Sequence, residues 1–252
     1  ESLLPSVRAN HHNGKLTLVE RWRLTVALLA ARARTAIGRT QRLSERGVDL
    51  QKSALWESLK PPSGPMAKMA WQLADSSQPA WLTNHCLRTH AWGQALGVVA
   101  DFRFDDEILF AAAMLHDTGL TDLAPSPTDH CFALRSARFA SQALAPVAEA
   151  DRLQAVTESI ARHLDFHVDL RDGVEAHLLQ GGAMVDVTGR GLSRIPATVR
   201  DRVLSLRPRA GMKEKLCECM RRVAEQAPRT RASIYVRHFG FLELIRSAPF
   251  EE

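Results

Sequence analysis

The chain has 252 residues, of which 45% are hydrophobic and 24% charged, a composition typical of a globular protein with one large domain or a domain plus an extension. Its net charge of +5 lies entirely in residues 1–49, which carry nine basic and four acidic residues, whereas residues 50–252 carry 24 of each. A neutral main domain argues against a nucleic-acid-binding core, and no apolar run approaches the ~20 residues that a membrane span needs.

Helix-forming residues dominate the chain, and the alternation typical of strands is nowhere sustained. Short connections between the helical segments favour an all-α fold in which the helices form a compact bundle. The predicted helices are 15–45, 50–59, 66–74, 81–100, a central helix ending at 115, 128–144, 150–166, 174–187, 196–206, 213–226 and 234–245.

A proline-rich stretch, Lys60–Pro65, is the clearest break in the sequence. It predicts an N-terminal, Arg-rich helical extension over residues 1–60 and a main domain over 61–252. We expect the helix over 15–45 to pack its apolar stripe, which includes Leu16, Val19 and Leu24, on the domain. Thr17 and Glu20 would form a weak capping box. The alternative is that it contacts acidic lipids, another copy of the chain or a different partner.

The four cysteines follow neither a disulfide framework nor a Cys-x-x-Cys zinc pattern. We expect them to be reduced thiols, which predicts a cytoplasmic location.

The most informative stretch is the end of the central helix. An apolar run, Ile108–Leu115, is opened by the capping residue Asp105 and is followed at once by His116 and Asp117. An ionised carboxylate among apolar residues is costly unless it is neutralised, and a divalent cation neutralises it most directly. Alternatively, both side chains simply face solvent at a helix end.

Three further polar residues, His85, His163 and Asp186, lie in other apolar helical segments. Either histidine alone would more often be a hydrogen-bonded core residue than a ligand. Together with His116 and Asp117 they make a nitrogen-and-oxygen set, which suits Zn²⁺, Fe, Mn²⁺ or Co²⁺ better than Ca²⁺.

On these residues the chain resembles the HD superfamily of metal-dependent hydrolases, whose signature is His…His-Asp…Asp. Within it, the phrase Asn-His-Cys-Leu-Arg-Thr around His85, the phrase after His116-Asp117 and the pair Arg162-His163 are similar to the cyanamide-hydratase-like branch. The resemblance runs from about residue 61 to near residue 241.

The resemblance implies an HD-type bundle that acts on a small molecule through a metal-bound water, with one or two Zn, Fe or Mn ions. The implied metal ligands are His85, His116, Asp117, Asp186 and His163. Asp117 would bridge two ions if a second is bound, and with a single ion His163 would be free for proton transfer. Arg88 would orient an anionic group, with a structural salt bridge as the alternative.

Two departures bear on the reaction. Ala133 follows Phe132 where branch members carry an acidic residue, which argues against cyanamide as the substrate. Leu120 stands where many cyclic-dinucleotide phosphodiesterases carry lysine, which argues against phosphodiesterase activity on cyclic dinucleotides. Nitrile hydration and phosphoester hydrolysis both remain open, beside a diiron oxygenase and a non-catalytic regulatory or binding module stabilised by its metal.

Overall fold

The computed structural model describes residues 14–37, 61–122 and 131–252, apart from the side chains of residues 29–37. Within these ranges the regular structure consists of eleven α-helices and three short 3₁₀ turns, with no strand, which confirms the all-α prediction. The helices are α1 Leu18–Ile37, α2 Pro65–Ser77, α3 Ala80–Val99, α4 Asp106–Leu115, α5 Phe132–Leu144, α6 Ala150–Arg162, α7 Val174–Thr188, α8 Ala197–Leu206, α9 Met212–Gln226, α10 Arg231–His238 and α11 Phe241–Arg246.

The central helix α4 is the element around which the bundle packs. Its capping residue is Asp105, as predicted, because that carboxylate accepts hydrogen bonds from the backbone N–H groups of Glu107 and Ile108 at 3.0 and 3.1 Å. All residues from Ile108 to Leu115 are buried, and α2, α3, α6 and α7 surround them. Burial of a large apolar side chain is worth about 1.5–3 kcal/mol, so this run determines where the C-terminal end of α4 lies.

Helices α3 and α7 pack closely because a glycine lies between them. A Cβ atom at Gly182 would lie only 2.3 Å from the carbonyl oxygen of Thr89 and 2.9 Å from the amide nitrogen of Gly93. Arg88 precedes Thr89, and Asp186 lies one turn after Gly182. The close approach of the two backbones therefore brings these two charged residues together.

Helix α1 begins with the predicted capping box. The Thr17 N–H donates to Glu20 Oε2 at 2.8 Å, and the Glu20 N–H donates back to Thr17 Oγ1 at 3.3 Å. Leu24 and the preceding Leu16 are buried against α10. Val19, which we expected in the same stripe, is instead 59% exposed on another face of the helix.

Several predicted boundaries differ from the structure. The segment predicted as one helix over 234–245 is wrong, because Gly240 adopts a left-handed φ of +64° and separates α10 from α11. The helix predicted over 150–166 ends at Arg162. The predicted helix over 50–59 and the segments 38–45 and 128–130 of two other helices lie outside the described residues, and the domain boundary at residue 60 stays a prediction.

Candidate metal centre

Four helices deliver the candidate residues to one buried region. His85 lies on α3, His116 and Asp117 follow the last residue of α4, His163 directly follows α6, and Asp186 lies near the end of α7. Each of these residues is at most 6% exposed. The solvent-facing alternative for His116 and Asp117 is therefore wrong.

The closest group consists of His85, His116 and Asp117. The two Nε2 atoms are 3.3 Å apart, and Asp117 Oδ2 lies 3.5 Å from Nε2 of His85 and 3.4 Å from Nε2 of His116. One ligand atom from each residue lies within 4.8 Å of the others, so this buried group could hold a metal ion.

The outer nitrogen of each imidazole ring fixes its tautomer. Nδ1 of His116 lies 2.7 Å from the carbonyl oxygen of Ala113, and Nδ1 of His163 lies 2.7 Å from that of Ile160. Because a carbonyl oxygen can only accept, each Nδ1 must carry the proton. His85 Nδ1 likewise lies 2.7 Å from a carboxylate oxygen of Asp186. In the neutral rings, each of the three Nε2 atoms therefore carries a lone pair and no proton.

His163 meets Asp117 on the other side of its carboxylate. Its Nε2 lies 3.4 Å from Asp117 Oδ1, and its ring is perpendicular to that of His116 with centroids 4.9 Å apart. The two oxygens of Asp117 thus face different histidines. This arrangement is compatible with one ion at Oδ2 and a second ligand environment at Oδ1.

The pKa values reflect the burial of this group. Burial lowers the pKa of His116 to about 4 despite the attraction of Asp117. Burial also acts to lower the pKa of His85, but contacts with Asp117 and Asp186 outweigh it and raise the pKa above its usual value. For Asp117, burial acts to raise the pKa, but His116 and the contacts with His163 and His85 hold it well below its usual range. Asp117 is therefore an ionised acceptor.

Asp186 lies behind His85, at Nδ1 and not at Nε2. Its Oδ1 accepts from Arg88 Nε at 2.8 Å and from Trp92 Nε1 at 2.9 Å, and its Oδ2 accepts from Arg88 Nη2 at 2.9 Å. Arg209 donates to its backbone oxygen at 3.0 Å. Burial acts to raise the pKa of Asp186, but Arg88 and His85 hold it well below its usual range. The ligand role stays a prediction, and this geometry favours instead an orienting role behind His85.

Arg88 is occupied by protein groups. Besides the two bonds to Asp186, its Nη1 donates to the carbonyl oxygens of Arg207 and Pro208, each at 3.0 Å, and its side chain is fully buried. The predicted salt-bridge alternative is thus what the geometry supports. The direct catalytic role predicted for Arg88 stays a prediction, and none of the contacts described for its side chain favours that role.

Two partners of Asp186 were not predicted from the sequence. Trp92 lies seven residues after His85 and four after Arg88, on the same face of α3, so helical spacing is a signal that could have identified it. Arg209 lies between α8 and α9, far along the chain from every other member. No local pattern marks it.

A thiol lies near the centre but is not suited to bind the ion. Cys86 Sγ lies 3.7 Å from Gln78 Oε1 and 4.0 Å from Nδ1 of His116, the nitrogen that faces away from Asp117. Burial, reinforced by the negative charge of Asp117, raises the pKa of the Cys86 thiol well above its usual value. The donor set is therefore nitrogen and oxygen, as the sequence predicts.

A pocket of about 570 Å³ opens beside the turn that follows Asp117. Its walls include Leu82, one helical turn before His85, and Leu120, three residues after Asp117. The Arg222 side chain also lines it and donates to the carbonyl oxygen of Leu120 at 2.8 Å. The complete lining is Ser77, Pro79, Trp81, Leu82, Leu120, Thr121, Asp122, Cys219 and Arg222.

Comparison with known proteins adds no family assignment. No known family model matches the chain, and no curated protein matches it. Among the described residues, no helix is both long enough and apolar enough to cross a membrane.

Proposed function

We propose that residues 61–252 form a metal-dependent hydrolase or hydratase of the HD type that acts on a small molecule. The observation that carries the proposal is the convergence of acceptors: the Nε2 lone pairs of His85, His116 and His163 all face the ionised carboxylate of Asp117. With the rings neutral, no described residue donates a hydrogen bond between these four acceptors, and such an arrangement is costly in a buried site. A cation is the group that satisfies all four.

The residues fit a borderline transition metal. Imidazole nitrogen with carboxylate oxygen suits Zn²⁺, Fe or Mn²⁺, and each ligating histidine has the second hydrogen bond that fixes a metal-binding ring. His85, His116 and Asp117 would hold the first ion, and His163 with the other oxygen of Asp117 would contribute to a second. A divalent ion supplies a nucleophile at neutral pH because it lowers the pKa of bound water to roughly 7 in good sites.

The protein's own groups then have distinct roles. Asp186 and Arg88 keep the ring of His85 in one orientation and one tautomer, because the carboxylate accepts a hydrogen bond from the Nδ1–H and the guanidinium holds the carboxylate. With one ion bound, His163 is available to take up a proton at Nε2, since Nδ1 keeps its own proton and donates it in a hydrogen bond to the carbonyl oxygen of Ile160. The buried surroundings of all these groups limit competing water.

The substrate would enter through the pocket beside Leu82 and Leu120. Its volume is in the range of small-molecule sites. Arg222 and Asp122 would contribute charges of opposite sign next to apolar surface, which suits a small molecule with a strongly polar group. Nitrile-type hydration and phosphoester hydrolysis are both compatible with this lining.

The test is metal analysis of the full chain followed by two assays: release of inorganic phosphate from phosphoesters, and formation of urea from cyanamide. We expect turnover in one of them. His85→Ala should lower the turnover rate by about 100-fold or more, because loss of a metal ligand should cost more than the 10–100-fold expected for loss of a group that only orients a ligand. His90→Gln is the matched control, because His90 is a buried histidine of the same helix that bonds to Asp106, outside the site.

Three results would overturn the proposal. Full turnover by a folded His85→Ala variant would show that this centre is not the catalyst. Two bound irons with substrate-dependent oxygen uptake would indicate a diiron oxygenase. A bound ion that raises the melting temperature, with no turnover in either assay, would indicate a metal-stabilised module.

A further inference from the structure

The outer face of α1 is the most apolar exposed surface that the structure describes. Leu18, Val19, Trp22 and Val26 are 80%, 59%, 67% and 45% exposed. The other large hydrophobic residues with high exposure, Leu170, Leu206 and Leu244, belong to three different elements. Isolated exposed hydrophobic residues are ordinary, whereas a contiguous patch marks an interaction site.

The four side chains of α1 form one stripe. At about 100° per residue, Leu18, Trp22, Val26 and Val19 fall within an arc of roughly 100°. Basic residues border this arc: Arg23, which is exposed, on one side, and Arg21, which is half-buried, on the other. The helix thus presents an apolar stripe between two positive charges.

The stripe is directed outward because another face of α1 is anchored to the domain. Leu24 is buried against Ile234 and Tyr235, and Leu16, just before the helix, is buried with them. The Leu16 N–H also donates to the carbonyl oxygen of Arg229 at 2.8 Å. The same contacts that hold α1 on the domain therefore leave its apolar stripe uncovered by the described residues.

We propose that this face of α1, the Leu18–Val26 stripe with its flanking arginines, binds an anionic lipid surface and lies in the plane of the headgroups. Charge favours this occupant, since residues 1–49 hold the entire positive excess of the chain. An apolar face containing Trp and Leu beside Arg is typical of helices that rest at a membrane interface. The arginines would contribute attraction to the negative lipids, and the stripe would contribute buried apolar area.

The experiment measures binding of the full chain to large unilamellar vesicles, either of phosphatidylcholine alone or with one third phosphatidylserine. We expect binding to the anionic vesicles, weakened by added salt and by removal of the anionic lipid. The variant Leu18→Ser/Trp22→Ser should bind at least tenfold more weakly. Arg23→Gln should bind about fivefold more weakly, as expected for one basic residue near an anionic surface.

Leu206→Ser is the matched control, because Leu206 is 54% exposed but lies on α8. It should bind vesicles as the unsubstituted protein does. Circular dichroism and size-exclusion chromatography check that each variant keeps its fold and show its oligomeric state. Absence of binding by the unsubstituted protein would overturn the proposal, as would undiminished binding by the double variant. A dimer that dissociates in the double variant, without vesicle binding by either, would assign the stripe to a second copy of the chain.

Discussion

Two buried aspartates, on either side of the His85 ring, differ in how their charge is compensated. Asp186 accepts two hydrogen bonds from Arg88 and one from Trp92, all at 2.8–2.9 Å, and a guanidinium neutralises it. Asp117 has histidine nitrogens as its closest charged-group neighbours, at 3.4–3.5 Å, beyond the usual range of a strong hydrogen bond. Each neighbouring ring donates its proton elsewhere when neutral.

The difference distinguishes a carboxylate whose charge is compensated by Arg88 from one that belongs to a group that could hold a metal ion. Asp186 has its partners within the protein and needs nothing further. Asp117 instead faces the Nε2 atoms of three imidazole rings, which carry no proton when the rings are neutral. A metal ion between Asp117 and the three rings would compensate this carboxylate, and it would bind the rings in their unprotonated form.

The largest expected effect is the difference in stability lost when each of the two aspartates is replaced by asparagine. In the presence of a chelator, Asp186→Asn should lower the free energy of unfolding by about 3–5 kcal/mol, because Arg88 is left buried without its counter-charge. Asp117→Asn should cost less than about 1.5 kcal/mol, the value of an ordinary hydrogen bond, since no guanidinium is left unpaired. Urea denaturation of both variants measures the difference.

The double variant Arg88→Met/Asp186→Leu is the control for this comparison. Replacing both charges by apolar groups should recover part of the lost stability, because neither charge is then left alone, although the N–H groups of His85 and Trp92 lose their acceptor. Equal losses for the two Asp→Asn variants would contradict the distinction between the two aspartates.

The next effect concerns metal binding. At an ion concentration one hundred times the dissociation constant, Zn²⁺ or Mn²⁺ should stabilise the chelator-treated protein by about 2.7 kcal/mol, or roughly 5–10 °C in melting temperature for a chain of this size. His116→Ala and Asp117→Asn should abolish the shift. A shift of the same size in either variant would place the ion elsewhere.

The smallest effect acts on the Asp186 side alone, through the packing of α3 on α7. Gly182→Ala should cost about 1–3 kcal/mol, because its Cβ would meet the backbone of Thr89 and push the two helices apart. Gly181→Ala is the matched control, since its Cβ would approach only the end of the Leu96 side chain, at 3.1 Å. There the gain in helix propensity should leave stability unchanged or slightly higher. Thermal unfolding of both variants measures the contrast.

The sequence was most informative where the signal is local. The apolar run ending at His116 predicts a buried helix, and Asp105 predicts its start, because capping and helical periodicity depend on neighbouring residues. The convergence of His85, His116 and Asp117 was predicted from polar residues in apolar context, and the structure brings them together. The function drawn from the family resemblance stays a prediction.

The sequence was least informative where distant segments meet. An aspartate inside an apolar helix must be compensated, but the sequence does not say whether by a metal or by an arginine. For Asp186 the answer depends on Arg88, 98 residues away, and on the close approach of α3 and α7 at Gly182. Gly240 separates α10 from α11 because of its φ angle, which helical periodicity alone does not reveal.

The histidines at the ends of α4 and α6 share one local arrangement. In each, the ring donates from Nδ1 to the carbonyl oxygen three residues earlier, in the last turn of the helix. The direction in which each Nε2 atom points is therefore determined by interactions within four consecutive residues. His116 and His163 can be oriented as soon as their helices form, before the rest of the bundle closes, whereas His85 acquires its orientation only with the completed tertiary structure.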